Sequence, residues 1–136
     1  MIPRRKSSVI LLATVAAILF ITYKLHRYYH PPAIPTEELT ALYTAQPADA
    51  DRRYKDRDLT IRGKPIAIHP LIEAPSLLLQ LETPPGQLQL YCHFVLTSPE
   101  HRASFDQHMN RPVQIRGTCN GREDRWIGLQ NCQLLD

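Results

Sequence analysis

Signatures of catalysis are missing from this chain of 136 residues. It contains no Gly-rich phosphate loop, and no nucleophile stands beside a general base in a recognisable motif. His101 and His108 are seven residues apart and could share a helix face, but further ligands at metal-site spacing are absent. We therefore expect a protein that is not an enzyme and that uses neither a cofactor nor a metal.

Excess positive charge is also missing from most of the chain. The formal net charge is +3, but five of the 16 Lys and Arg precede residue 31, ahead of every acidic residue. From residue 31 onward, 11 basic residues face 13 acidic ones. A domain with this slightly negative balance has no global attraction for phosphate, which disfavours nucleic acid as a partner.

The amino-terminal region lacks two features of exported proteins: a small-x-small cleavage site and a cysteine near the end of its apolar run. The run itself, from Val9 to Tyr23, is uncharged, with three basic residues before it and two after it. As a helix it spans about 22 Å, and snorkelling flanks extend it toward the hydrocarbon core of about 30 Å. The run predicts an uncleaved signal-anchor. A cleaved signal peptide is the alternative, and the missing cysteine argues against a lipoprotein.

The charges on either side of the run predict its orientation in the inner (cytoplasmic) membrane. The more basic end stays in the cytoplasm, so the folded domain should lie on the periplasmic or extracellular side. The segments are then a cytoplasmic tail (1–6), a transmembrane signal-anchor (7–25), a Pro-rich linker (26–35) and one globular domain (36–136).

Two glycine-interrupted strands frame the globular domain. DLTIRGKPIAI, Asp58 to Ile68, alternates apolar and polar residues until Gly63, and PVQIRGTC, Pro112 to Cys119, repeats the I-R-G at Gly117. An isolated glycine inside a strand pattern indicates a bulge or bend. We therefore assign Gly63 and Gly117 a structural role as corners.

The other predicted elements follow in chain order. A short helix with Thr36 as its N-cap opens the domain, and PADADRRYKDR (47–57) is a polar stretch before the first strand. Strands two and three are joined by a PPGQ turn, and the loop HPLIEAPS (69–76) precedes them. A helix follows from Ser98 to about residue 110, then the fourth strand, the turn NGRED (120–124) and a fifth strand with a bulge near residues 130–131.

This order predicts a mainly β protein with an OB-fold, a five-stranded Greek-key barrel whose helix lies between strands three and four. PADADRRYKDR, the IRG of strand one, YCHF, VQIRGTCNG and IGLQNCQL together resemble the bacterial tRNA-anti-like OB-fold family. That family consists of small secreted or membrane-tethered proteins of unassigned function. The resemblance covers about residues 36–136 and implies a fold, while for function it is nearly silent.

Candidate binding residues follow from the fold. An OB-fold usually binds through the outer face of strands two and three, where Tyr91 and His93 point outward. Arg62 and Arg116 point outward on strands one and four, which are neighbours in this topology. These four residues are the candidate ligand site. The alternative interpretation is a solvated surface whose charges are balanced by acidic neighbours such as Asp58.

Three cysteines allow three single pairs and leave one thiol over. If NGRED is the turn, Cys119 lies opposite Trp126, and Cys132 is about six residues or roughly 20 Å further along, which excludes that pair unless the register differs. Strands three and five are neighbours in an OB barrel, so Cys92 and Cys132 could form a disulfide near its core. Buried free thiols are the alternative.

These observations favour a membrane-tethered, exported, non-catalytic module that binds another envelope protein as an adaptor. The second hypothesis is OB-type binding of nucleic acid, an oligosaccharide or a small ligand through the face of strands two and three. Salt dependence separates the two hypotheses, because affinity for nucleic acid falls steeply with added salt.

Overall fold

The computed structural model describes residues 4–29, 32–72 and 75–135, in two units, Met1–Pro32 and Ala33–Asp136. In the first unit, helix α1 (Arg4–Tyr29) contains a stretch from Ser8 to His26 with a mean hydropathy of 2.1. This stretch is long and apolar enough to cross a membrane, which confirms the predicted apolar helix. The helix also includes residues 26–29 of the predicted linker, whereas residues 30–31 of that linker and 1–3 of the predicted tail lie outside the described residues.

The second unit combines three helices with one mixed sheet. Its helices are α2 (Thr36–Ala45), α3 (Pro47–Tyr54) and α4 (Pro99–His108). Its strands are β1 (Ile34–Pro35), β2 (Asp58–Gly63), β3 (Pro65–Leu71), β4 (Ser76–Leu81), β5 (Gln89–Val95), β6 (Val113–Glu123) and β7 (Trp126–Leu135). The strand order is β1-β2-β6-β7-β5-β4-β3, with parallel pairs at β1–β2 and β5–β7 and antiparallel pairs elsewhere.

The described sheet therefore has seven strands rather than the predicted five, and it is not closed. The predicted first strand is divided at Lys64 into β2 and β3, and the two-residue strand β1 joins β2 at one end of the sheet. β3 pairs with β4 and forms the other end. One bent run of chain thus contributes to two separate positions in the strand order.

Gly63 stands at the division between β2 and β3 because there is no room for a side chain there. A Cβ would overlap the Thr36 hydroxyl and lie 3.0 Å from Leu81 Cδ1. The Thr36 hydroxyl donates to the Arg62 carbonyl at 2.9 Å and does not cap α2, whose N-cap is Pro35. The predicted N-cap role of Thr36 is therefore wrong, since its hydroxyl fastens the start of α2 to the bend.

Gly117 meets a similar constraint in β6. A Cβ would lie 2.6 Å from Cys132 Sγ and 3.1 Å from the Gln130 carbonyl oxygen of β7. The β6–β7 register shifts between Arg116 and Thr118, so the glycine coincides with an irregularity in the ladder. Close approach of neighbouring atoms, and not left-handed backbone, is what excludes a side chain here.

The β6–β7 hairpin turns later than the sequence predicts. Most of NGRED belongs to β6, and the chain reverses at Asp124 and Arg125, where Asp124 adopts a φ of 45°. Trp126 therefore pairs with Glu123, and Cys119 lies opposite Leu129. The predicted register was wrong by three residues, so Cys132 lies three residues, or roughly 10 Å at strand rise, beyond the partner of Cys119, and not roughly 20 Å as predicted.

Two further stretches differ from their sequence-based interpretation. PADADRRYKDR contains helix α3, which begins with Pro47 in its first turn and has Arg52 and Arg53 in its last. HPLIEAPS begins as strand, since β3 extends to Leu71 and only the residues from 72 to 75 connect it to β4. Residues 73–74 of this predicted loop lie outside the described residues.

The core lies on the alternating dry faces that the sequence predicts. Leu77, Leu79 and Leu81 of β4 are almost fully buried. Ser98 is the N-cap of α4, and its hydroxyl accepts a hydrogen bond from the backbone N–H of His101. The helix places Phe105 edge-on to Phe94 of β5, with ring centroids 4.8 Å apart. The fully buried large side chains are Leu39, Tyr43, Ile61, Leu77, Leu79, Leu81, Leu90, Phe94, Phe105, Ile115, Ile127 and Leu129.

Candidate ligand-binding face

Three rings from three strands form a continuous row on the outer face of the sheet. His69 of β3 lies edge-on to Tyr91 of β5, and Tyr91 lies edge-on to Trp126 of β7. Both centroid distances are 5.8 Å, with interplanar angles of 63° and 88°. His69 is exposed, and the other two are partly buried. We call His69, Tyr91 and Trp126 the ring row.

The strand register brings these rings together. Tyr91 is the direct partner of Gln80 on β4 and of Gly128 on β7. A Cβ on Gly128 would lie 2.9 Å from Trp126 Cζ3, so the indole ring occupies space that only a glycine leaves open. The absence of a side chain at Gly128 therefore lets Trp126 lie close to the sheet and beside Tyr91.

The ring row lines a shallow depression of about 360 Å³. Leu78 contributes an apolar side chain to it, and Gln89 and Arg125 complete the lining. Arg125 brings a positive charge, and no acidic side chain is among the described lining residues. Aromatic surface with a few polar groups at its margin is the usual composition of a small-ligand site.

Hydrogen bonds hold two of the rings by their polar atoms. The Tyr91 hydroxyl donates to Gln89 Oε1 at 2.6 Å, and His69 Nε2 lies 3.0 Å from Gln80 Oε1. Because an amide oxygen can only accept, His69 carries its proton on Nε2 in this arrangement. Both rings are thus oriented before a ligand arrives, and their apolar surfaces stay free for contact.

His93 joins Tyr91 on the same face. It follows Tyr91 at the next outward position of β5 and pairs with Leu78, which also pairs with His69 on the opposite side. The order across the strands is therefore His69, Leu78, His93. The structure places two of the four predicted site residues, Tyr91 and His93, on one surface.

Arg62 and Arg116 lie elsewhere. They belong to β2 and β6, and β7 separates β6 from β5 in the strand order. Arg116 Nη2 is 3.9 Å from a carboxylate oxygen of Asp58, whose other oxygen accepts the Thr118 hydroxyl at 2.7 Å. Both arginines are exposed, and Arg116 has an acidic neighbour in Asp58.

The sequence analysis missed His69 and Trp126, and it did not place Arg125 beside Tyr91. His69 falls in a stretch interpreted as a loop, and Arg125 and Trp126 depend on the true position of the β6–β7 turn. One signal in the sequence points to this site: the single Trp of the chain stands two residues before a glycine, Gly128, on the same strand.

A separate buried polar cluster joins α2 and α3 to β6. The Tyr43 hydroxyl donates to Asp51 Oδ1 at 3.0 Å and contacts Cys119 Sγ at 3.6 Å, and the Gly121 N–H donates to the same sulfur at 3.4 Å. Burial, followed by the contact with Cys119, raises the pKa of Tyr43 well above its ordinary value. Burial is also the main cause that raises the pKa of Cys119. The Tyr43 hydroxyl and the Cys119 thiol therefore stay protonated, and their contacts attach α2 and α3 to β6.

Among the described residues, no group of three or more His, Cys, Asp and Glu side chains is placed to hold a metal ion. His101 and His108 of α4 do share a side of the helix, since both line a groove of about 640 Å³ together with Cys132. His101 Nδ1 accepts the Thr97 N–H at 3.2 Å, an ordinary structural role at the start of the helix.

Comparison with known proteins supports the fold. The structure resembles a crystal structure described as a "putative nucleic acid-binding lipoprotein" from Klebsiella pneumoniae, with a TM-score of 0.56 and 15% sequence identity, covering 76% of this chain and 92% of that one. A crystal structure described as a "putative aspartyl-tRNA synthetase" from Leishmania major was also found, with a TM-score of 0.44, 12% identity and coverage of 76% of this chain and 20% of that one. No protein-family model matches the sequence, and no curated protein does.

Proposed function

We propose that this protein is a membrane-anchored, non-catalytic binding module that holds a ring-bearing ligand on the ring row. The observation that carries the proposal is the open row itself, in which three aromatic side chains line a depression of about 360 Å³ and two of them are oriented by hydrogen bonds. Stacking on such rings is worth about 1–3 kcal/mol per base in single-strand binding proteins.

The OB-fold barrel is the architecture we infer for this module. β2 and β3 are one bent strand that supplies both ends of the main strand order, β5 and β7 pair in parallel, and α4 lies between β5 and β6 in the chain. Counted this way, the strands and helix follow the OB-fold order. In this count, His69 lies on the first barrel strand, Tyr91 on the third and Trp126 at the start of the fifth, with Leu78 of the second strand beside them.

Unpaired nucleobases are the ligand class we favour, presented by a short single strand. Every base has a π-face that can pack on Trp126 or Tyr91, and Arg125 is placed to meet one phosphate. The similar Klebsiella structure is described as that of a nucleic acid-binding protein, which agrees with this choice. The weakly negative domain limits the number of phosphates held, so affinity should depend on rings more than on charge.

Intrinsic fluorescence tests this proposal directly, because Trp126 is the single Trp of the chain. The full chain in detergent micelles is titrated with single strands of about eight nucleotides, within the range of OB-fold site sizes, and in parallel with neutral oligosaccharides. Saturable quenching of Trp126 fluorescence by the single strands supports base stacking. In the Trp126→Phe variant, binding is followed instead by the anisotropy of a labelled strand, and it should be absent. Saturable quenching by the oligosaccharides alone would identify the ring row as a carbohydrate site. No response to either ligand would refute the proposal of a binding site on the ring row.

The membrane arrangement is part of the same proposal. α1 serves as an uncleaved anchor with the short tail in the cytoplasm, and the domain lies on the periplasmic or extracellular side, because the more basic flank precedes the helix. Protease added to intact spheroplasts should then remove the domain. Protection until the membrane is broken would show the opposite orientation, and a mature protein lacking residues 1–25 would show cleavage.

Contact with an envelope protein is a second candidate function, favoured by a different surface. β3 ends the strand order and exposes Ile66 and Leu71, and Ile72, which follows the strand, is fully exposed. Val95 of β5 is also exposed. An end strand with apolar side chains can accept a partner strand by added backbone pairing. Crosslinking in membranes should then capture one partner with the parent chain and lose it with Ile72→Asp, whereas Trp126→Ala should keep it.

A further inference from the structure

Cys92 and Cys132 lie together in the core although they are far apart in the chain. Cys92 of β5 pairs with Leu129 of the parallel neighbour β7, and Cys132 follows three residues later on that strand. Both side chains belong to the buried core cluster. The neighbouring Cys132 thiol, as a hydrogen-bond partner, and burial raise the pKa of Cys92 well above its ordinary value.

An irregularity in β7 turns Cys132 inward toward its neighbour. Asn131 adopts a φ of 53°, and Gln130 and Asn131 are both exposed, so the alternation of the strand restarts and Cys132 returns to the buried face. Gly117 on β6 leaves open the space into which the Cys132 sulfur extends, since a Cβ there would lie 2.6 Å from Sγ. Two local departures from regular strand geometry therefore place this sulfur.

The two cysteines differ in access. Cys92 is fully buried, whereas Cys132 retains 8% of its surface and lies in the wall of the groove formed with His101, Ser104 and His108. The groove therefore leads to Cys132, whereas no surface of Cys92 is exposed. Cys119 is not part of this pair, because its sulfur is held by the Tyr43 hydroxyl and the Gly121 N–H.

We propose that Cys92 and Cys132 are a dithiol that converts to an intramolecular disulfide by exchange with an external disulfide, which enters through the groove. The Cys132 thiol loses its proton and attacks one sulfur of the external disulfide, which releases one thiol and leaves a mixed disulfide on Cys132. The Cys92 thiol then loses its proton and attacks the Cys132 sulfur, and the second external thiol leaves. Two electrons pass from the cysteine pair to the external disulfide, which is reduced to two thiols.

Thiol counting and peptide mapping test this proposal on the full chain in detergent. Reduced protein has three titratable thiols. After equilibration with oxidised glutathione and denaturation, we expect one thiol, a mass lower by two hydrogens, and a peptide that joins Cys92 to Cys132. Retention of all three thiols would overturn the proposal, and so would a crosslink that includes Cys119 or a dimer linked between chains.

Single substitutions separate the two exchange steps. Cys119→Ser should form the same crosslink as the parent chain. Cys92→Ser should stop at a glutathione adduct on Cys132, and Cys132→Ser should acquire neither an adduct nor a crosslink. An adduct on Cys92 in the last variant would show that the groove is not the entry path and would overturn the proposed order.

A measurement on the unmutated chain guards against variants that fail to fold. Timed alkylation of the folded, reduced protein should modify Cys132 many times faster than Cys92 or Cys119. The disulfide form should also unfold at a higher urea concentration than the reduced form, because the bond closes a loop of some 40 residues in the unfolded chain. Equal alkylation rates together with an unchanged urea midpoint would refute the assignment.

Discussion

Two outward surfaces of the same sheet differ in what surrounds their polar and aromatic side chains. On β2 and β6, Arg116 lies beside the Asp58 carboxylate, which also accepts the Thr118 hydroxyl, so this arginine has an acidic neighbour within the protein. On β3, β5 and β7, glutamines orient His69 and Tyr91, and the ring row leaves ring surface and Arg125 available. Residue type at an outward position is therefore a weak indicator of a binding site, and the partners of each residue decide.

The first prediction concerns Gly63 and Gly117, the two glycines of β2 and β6, and their effect on folding. Gly117→Val and Gly63→Val should each lower the free energy of unfolding by roughly 1–3 kcal/mol, because the new side chain meets buried atoms of β7 in one case and Thr36 and Leu81 in the other. Urea melts of the full chain in detergent measure this loss. Unchanged midpoints in both variants would mean that neither position requires close approach.

The second prediction concerns the largest ring. Trp126→Ala should weaken single-strand binding by about 1–3 kcal/mol, or roughly 5-fold to 150-fold, because a stacking surface is lost. Arg116→Ala is the matched control on the other surface and should bind like the parent chain. Anisotropy of a labelled strand measures both. If Arg116→Ala loses as much affinity as Trp126→Ala, the binding surface has been placed on the wrong side of β7.

The third prediction tests whether Gly128, which leaves space for the Trp126 indole, affects binding as the indole itself does. Gly128→Val should weaken binding several-fold while the urea midpoint stays near that of the parent chain, since the added Cβ meets the far end of the Trp126 side chain, which can move. A large loss of stability with unchanged affinity would instead assign Gly128 to folding, as for Gly117.

The fourth and smallest effect is electrostatic. Arg125→Ala should reduce the slope of log affinity against log salt by about one, as expected when one phosphate contact is removed. Arg62→Ala, an exposed arginine on the other surface, should leave the slope unchanged. Titrations at several salt concentrations compare the two, and equal slopes for both variants would remove Arg125 from the site.

Much of the fold could be predicted from hydrophobic alternation and glycine positions. The strand at Asp58–Gly63, the buried leucines of β4 and the capped start of α4 at Ser98 all depend on local signals, and all are present. Helix α3 was missed because its stretch is polar and its formation depends on packing: Ala50 is fully buried and Tyr54 packs against the core.

The candidate site was less accessible to sequence reasoning. Tyr91 and His93 follow from strand parity, but the association of Tyr91 with Trp126 depends on the parallel β5–β7 register, which no local pattern encodes. The true turn at Asp124 and Arg125 requires a non-glycine residue at positive φ, and the Asn-Gly in NGRED is the stronger turn signal. A register error of three residues was enough to hide both the Trp and the geometry of the cysteines.

The cluster of Tyr43, Cys119 and Asp51 makes the stability of the folded state sensitive to alkaline pH. The pKa of Tyr43 lies above its ordinary value of 10.0 and that of Cys119 above 9.0, both mainly through burial, so the folded state holds protons that the unfolded chain releases. Stability from these groups is fully present below about pH 9 and declines as the pH rises beyond these ordinary values. Ionised Tyr43 would face the Asp51 carboxylate that now accepts its hydrogen bond, which weakens the attachment of α2 and α3 to β6.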